Sequence, residues 1–96
     1  MMYNQVTPKR KVDLMNAKLL EMLEAALNYI EDSIYWFDQF QNYEDTWQWE
    51  LSKEKDDKAR GILEAYKILT GNWVDPFTIS IRAEIGTIKE HHPELK

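Results

Sequence analysis

Two pairs of carboxylates stand three residues apart in this chain, Glu21 with Glu24 and Glu54 with Asp57. Residues at that spacing share a helix face. Two such pairs on facing helices can hold Mg²⁺ against the phosphates of a nucleotide. The other candidates for chemistry point elsewhere. His91 and His92 are adjacent, and neighbours on a helix diverge by roughly 100°, a poor two-ligand face. Near a helix C-terminus a partly protonated imidazole suits the dipole instead, and that is the role expected of them. No serine sits in a nucleophile-elbow sequence. Gly61, Gly71 and Gly86 are too widely spaced for a loop that cradles phosphate. Without cysteine, thiolate catalysis, disulfides and cysteine-based zinc sites are excluded, and a reducing compartment is the natural fit.

The order of these carboxylates resembles the signature of the all-α nucleotide pyrophosphohydrolases of the MazG kind, in which E-x-x-E on one helix is followed by E-x-x-D on the next. Only Glu21, Glu24, Glu54 and Asp57 carry the resemblance. It implies an all-α, Mg²⁺-dependent hydrolase with those four residues as ligands. Against it stands the simpler account that 17 acidic residues generate such spacings on solvated helix faces. The hydrolase is therefore the alternative reading, and no cofactor is expected outside it.

A more distinctive feature is the run of aromatics Tyr35, Trp36, Phe37, Phe40, Tyr43, Trp47 and Trp49. Consecutive helical residues fan out, so Tyr35, Trp36 and Phe37 cannot all enter one core. Large aromatics serve small domains by adding buried area, yet tryptophan and tyrosine also dominate binding hot spots. Charge sharpens the second reading. From Leu19 to Ser52 there is no lysine or arginine, while Lys9, Arg10, Lys11 and Lys18 precede the stretch and Lys53, Lys55, Lys58 and Arg60 follow it. An acidic rim steers toward a basic partner. Base stacking needs a cationic groove, so direct nucleic-acid binding through this segment is not expected.

The elements that must position these residues are helical. Between Pro8 and Gly61 there is neither glycine nor proline. Leu19, Leu23, Ala26, Ile30, Phe37 and Phe40 keep helical spacing, with Leu20, Leu27 and Ile34 as an adjacent ridge. The first helix is expected to start at Thr7 or at Asp13 as N-cap. If unbroken to Tyr43 it either bends or protrudes, because a compact chain of this length has a radius of gyration near ~12 Å. A turn is expected over 41–46, with Asp45 and Gln48 forming a capping box for a second helix that runs to about Leu69. In that helix Trp47, Leu51, Ala59, Ile62, Leu63, Tyr66 and Leu69 keep apolar spacing, and the charged stretch from Ser52 to Lys58 reads as solvent-facing helix or loop. Gly71 supplies a C′ stop, and Asp75 with Pro76 reads as the start of a third helix with Phe77, Ile81, Ile85 and Ile88 inward. The alternation Phe77, Ile79, Ile81 is also that of a half-buried strand, but a lone strand needs a partner, so a helix from Pro76 to Glu90 is the favoured expectation and strand pairing the alternative.

At 96 residues, 44% hydrophobic and net charge −5, the expectation is one all-α domain. It is a compact bundle of three to four helices built on a long first helix and a helical hairpin, with 1–12 as a flexible basic arm and 91–96 as a flexible tail. The N-terminus lacks a signal-peptide pattern and no apolar run reaches the ~20 residues that span a bilayer, so a cytoplasmic location without membrane contact is expected. The expected function is non-enzymatic protein–protein interaction, as inhibitor or adaptor, on a partner with a basic surface such as a nucleic-acid-binding protein. The expected contact residues are Tyr35, Trp36, Asp38, Tyr43, Glu44, Asp45, Trp47, Trp49 and Glu50. Small acidic proteins of phages and mobile elements often act this way, an analogy of size and charge alone. Homodimerisation through the long first helix is also expected, and a purely structural homo-oligomer is a further alternative.

Overall fold

The computed structural model describes the backbone of residues 2–92 and the side chains of residues 14–92. Among them the chain forms three helices and no strand: α1 (Met2–Tyr43), α2 (Thr46–Thr70) and α3 (Thr78–His91). α1 starts ahead of both expected caps, and its 42 residues make it about 63 Å long at the usual rise. The molecule is accordingly 64 Å in its longest dimension, with a radius of gyration of 16.9 Å. The long helix protrudes. The tail expected over 91–96 falls largely on residues 93–96, which lie outside the described residues.

α2 folds back along α1. Near the turn the rings of Trp36 and Trp47 stand 5.5 Å apart. Further along, the Ser52 hydroxyl donates to the Ser33 carbonyl oxygen at 2.7 Å, and Lys55 and Lys58 reach the Tyr29 ring at 5.6 and 5.7 Å. These contacts explain why the charged middle of α2 is helix. Glu54 pairs with Lys58 and Asp56 with Arg60 one turn apart, and the lysine stems lie over the neighbouring aromatic face. α3 also runs opposite to α1, since Arg82 near its start meets Glu31 at 3.8 Å and His92 at its end meets Asn16 at 3.1 Å. The connection over 71–77 carries the chain back along the bundle and is anchored by buried Val74.

The core lies where all three helices overlap. Leu20, Leu23, Ala26 and Ile30 of α1 meet Ala59, Leu63 and Tyr66 of α2 and Ile81 and Ile85 of α3. Burying one such aliphatic side chain contributes about 1.5–3 kcal/mol. The apolar ridge of α1 continues past this region but the burial does not: Ile34 and Phe37 are exposed, on the tip side of the level where Arg82 in the second turn of α3 meets Glu31. Tyr66 ties the two shorter helices together by donating to the Glu84 carboxylate at 2.5 Å. Burial, followed by this hydrogen bond and the charge of Glu84, raises the Tyr66 pKa well above the ordinary value.

The ends of the elements depart from expectation in instructive ways. Gly71 does stop α2, in the left-handed conformation at φ 78° with its N–H on the Lys67 carbonyl oxygen. Asp75 does not cap α3. Its carboxylate accepts from the Trp73 indole at 3.0 Å, Phe77 takes the N-cap position without a side-chain cap, and Phe77 is therefore exposed rather than inward. Ile81 is buried and Ile79 largely exposed, the helical outcome of an ambiguous alternation.

Two expectations follow. Leu23→Ala should lower the unfolding free energy by about 3 kcal/mol while Ile34→Ala changes it by less than ~0.5 kcal/mol, measured by urea denaturation. Tyr66 has a raised folded pKa, so its stabilisation is fully present below the unfolded tyrosine value near ~10 and is lost as pH rises toward the folded value. Stability should therefore fall above about pH 10, and Tyr66→Phe should make that fall shallower; an unchanged slope would remove Tyr66 as its cause.

Candidate functional site

Toward the turn the α1–α2 hairpin outruns α3, which begins one turn before the Arg82 that meets Glu31, so its tip is built from two helices alone. Two helices cannot enclose seven large rings. Tyr35, Phe37, Tyr43, Trp47 and Trp49 are exposed and Trp36 and Phe40 half-buried. The rings order one another: Tyr35 stands edge-on to Trp36 at 5.0 Å, Trp36 bridges to Trp47, and Phe37 lies 6.4 Å from Phe40. Trp36 therefore serves as the clasp between the helices, and the outward aromatics are Tyr35, Phe37, Tyr43, Trp47 and Trp49.

Carboxylates surround these rings. Glu31, Asp32, Asp38, Glu44, Asp45 and Glu50 are all exposed. Lys53 is the neighbouring cation, 5.5 Å from the Trp49 ring. The turn between the helices is tighter than the expected span and consists of Glu44 and Asp45. Asp45 occupies the N-cap position with no side-chain cap bond. The expected capping box does not form, because the Gln48 side chain turns inward and only its N–H meets the Asp45 carbonyl oxygen, at 3.0 Å. Glu44 holds the left-handed position that ends α1, φ 60°, with its N–H on the Phe40 carbonyl oxygen. That conformation suits glycine, and for glutamate it costs about 1 kcal/mol.

Beneath the tip lies a small polar layer that the apolar pattern hides. Ser52 is buried against Ser33, and Gln48 is buried with its Oε1 lacking a hydrogen-bond partner among the described residues. The signal was present in the spacing. Ser33 stands seven residues after Ala26 and Ser52 seven before Ala59, which makes both core positions of the hairpin. The layer separates the three-helix core from the tip.

The carboxylate pairs of the hydrolase reading are not brought together. Glu54 is engaged by Lys58 at 3.2 Å, and among the described residues no group of three or more acidic or imidazole side chains is placed to hold a metal ion. Glu21, Glu24, Glu54 and Asp57 thus do not fit the Mg²⁺ site that the resemblance implies. Nor is any described helix long and apolar enough to cross a membrane.

An orphaned buried carbonyl oxygen is a liability that an isosteric apolar group removes. Gln48→Met should raise the unfolding free energy by about 1 kcal/mol in chemical denaturation; a loss of stability would show that the oxygen is satisfied. Comparison with known protein families, curated proteins and solved structures finds no match to this chain, so the reading of its function rests on this geometry.

Proposed function

We propose that the protein is a non-enzymatic interaction module that docks its acidic, aromatic hairpin tip onto a basic surface of a partner protein, acting as inhibitor or adaptor by covering that surface. The observation that carries this reading is the coincidence, toward the end of the hairpin that α3 leaves bare, of five exposed aromatics and the five exposed carboxylates Asp32, Asp38, Glu44, Asp45 and Glu50. Rings in such a position supply the hot spots, and the surrounding charge orients and accelerates encounter with a cationic groove. The absence of lysine and arginine from Leu19 to Ser52 leaves that field uncompensated along the chain. A protein groove built for nucleic acid matches it in sign and in its tolerance for flat rings.

Glu44 adds a separate argument. A non-glycine residue in the left-handed region is retained where its side chain is wanted, and here the side chain places a carboxylate at the apex of the turn. Glu44→Gly should therefore stabilise the fold by about 0.5–1 kcal/mol while weakening partner capture. The decisive experiment compares affinity capture from host lysate by the wild type and by Trp47→Ala/Trp49→Ala, across a salt series. A basic protein retained by the wild type, released as salt rises and bound at least tenfold more weakly by the double variant supports the reading. The same proteins captured equally by both would sink it. Both substituted rings are exposed, so the variant should keep its circular-dichroism spectrum and melting temperature.

A further inference from the structure

α1 and α2 leave an open groove of about 1060 Å³ along a flank of the hairpin to which α3 contributes no residue. That volume stands at the upper end of the ~300–1,000 Å³ typical of small-molecule sites, which are mostly apolar with a few placed polar groups. We propose that the groove binds a single-chain anionic amphiphile, a long-chain fatty acid, with its carboxylate at the Tyr29 end and its tail running toward Leu14. The site is separate from the hairpin tip and does not rest on the tip being a binding surface.

Three observations select that occupant. The first is the open space at Gly61. Glycine inside a helix is costly relative to alanine. Gly61 lies within α2, has no positive φ, and a methyl group added there would meet nothing within 4 Å. Neither backbone conformation nor packing inside the chain calls for glycine at this position. It leaves the groove floor, which Ala25 and Ala65 continue, open to close approach by something outside the chain.

The second is polarity along the groove. The two helices are antiparallel, so Leu14 and Met15 of α1 share one end with Leu69 of α2, and Tyr29 shares the other with Lys58. Leu14, Met15 and Leu69 are well exposed apolar side chains. At the opposite end Lys55 and Lys58 stand 5.6 and 5.7 Å from the Tyr29 ring. Lys55 makes no ion pair among the described residues. Lys58 meets Glu54 at 3.2 Å, an exposed pair of the kind that contributes little in water, so an incoming carboxylate can compete for it. Between the ends the charged lining residues, Lys18 and Glu21, are of opposite sign. A groove apolar at one end and cationic at the other complements a fatty acid. A partner helix, whose apolar stripe runs along its whole length, would call for no such gradient.

The third is length. From Leu14 to Tyr29 the groove runs about 22 Å at the helical rise, against about 15 Å for the hydrocarbon of one bilayer leaflet. An extended acyl chain therefore lies within it with room for its head. Met15 and Met22 on the α1 wall are flexible enough to follow a chain of no fixed shape. Apolar burial supplies most of the affinity, and the charge-assisted contact at the lysines fixes the direction of the chain.

Calorimetric titration of the full chain with decanoate, laurate and myristate, each below its micelle concentration, tests the proposal. One acid should bind per chain, with affinity rising by up to about fourfold for each added methylene. Gly61→Leu, at an exposed position, fills the floor; it should keep its circular-dichroism spectrum and melting temperature yet bind myristate at least about tenfold more weakly. Lys55→Gln/Lys58→Gln should weaken laurate at least about tenfold while leaving the affinity for dodecanol, its uncharged analogue, unchanged. Trp47→Ala/Trp49→Ala should bind myristate as the wild type does, which separates this site from the reading of the tip. A wild type that binds none of the three acids would overturn the proposal and return the groove to a partner helix or a second copy. A Gly61→Leu variant with wild-type affinity, or a double lysine variant that loses laurate and dodecanol alike, would overturn it as well.

Discussion

The structure depends on a mismatch of length: a third helix of 14 residues packs on a first helix of 42. α1 is the common support, in contact along both α2 and α3. Wherever the three overlap, apolar side chains close into a core centred on Leu23, Leu63 and Ile81. Elsewhere the hairpin has one face without cover, and everything of functional interest follows from which residues occupy that uncovered length. At the tip they are tryptophan, tyrosine and carboxylates. Along the flank opposite α3 they are leucine, methionine and small residues.

The polar layer of Ser33, Ser52 and Gln48 gives this division a physical boundary. A hydroxyl–carbonyl bond between the helices is modest in net energy, but it is directional where an apolar contact is not. The Gln48 oxygen, without a hydrogen-bond partner among the described residues, lies in this layer beneath the surface proposed to bind.

Much of the fold was legible in the sequence because it rests on periodicity. The long unbroken helix, the turn near Asp45, the glycine stop and the burial of Leu20, Leu23, Ala26 and Ile30 all follow from spacing and from the absence of Gly and Pro. Spacing fails where burial is decided by what lies opposite. Ile34 and Phe37 belong to the same apolar ridge as Ile30, and nothing local reveals that they are left exposed. Capping fails for a similar reason. Asp45 and Asp75 are good N-caps by type, but Gln48 turns inward and Trp73 captures the Asp75 carboxylate. For the site, the fanning of Tyr35, Trp36 and Phe37 correctly required exposed rings, whereas the groove depends on the hairpin's crossing and has no signature in either helix alone. The carboxylate pairs show the converse, a motif legible in sequence that the fold does not assemble.

The two-residue turn and the bare tip have a consequence for how the molecule moves. Backbone amides near Tyr43 and Trp47 are protected by helix bonds that exchange with water on both sides, while those near Leu23 and Leu63 lie under a three-helix core. Opening free energies are therefore graded along the hairpin, lowest at the apex and approaching the global value at its middle. The end that presents the rings can loosen and reset its side chains while the rest of the fold stays intact, so conformational adjustment is concentrated in the segment proposed to bind.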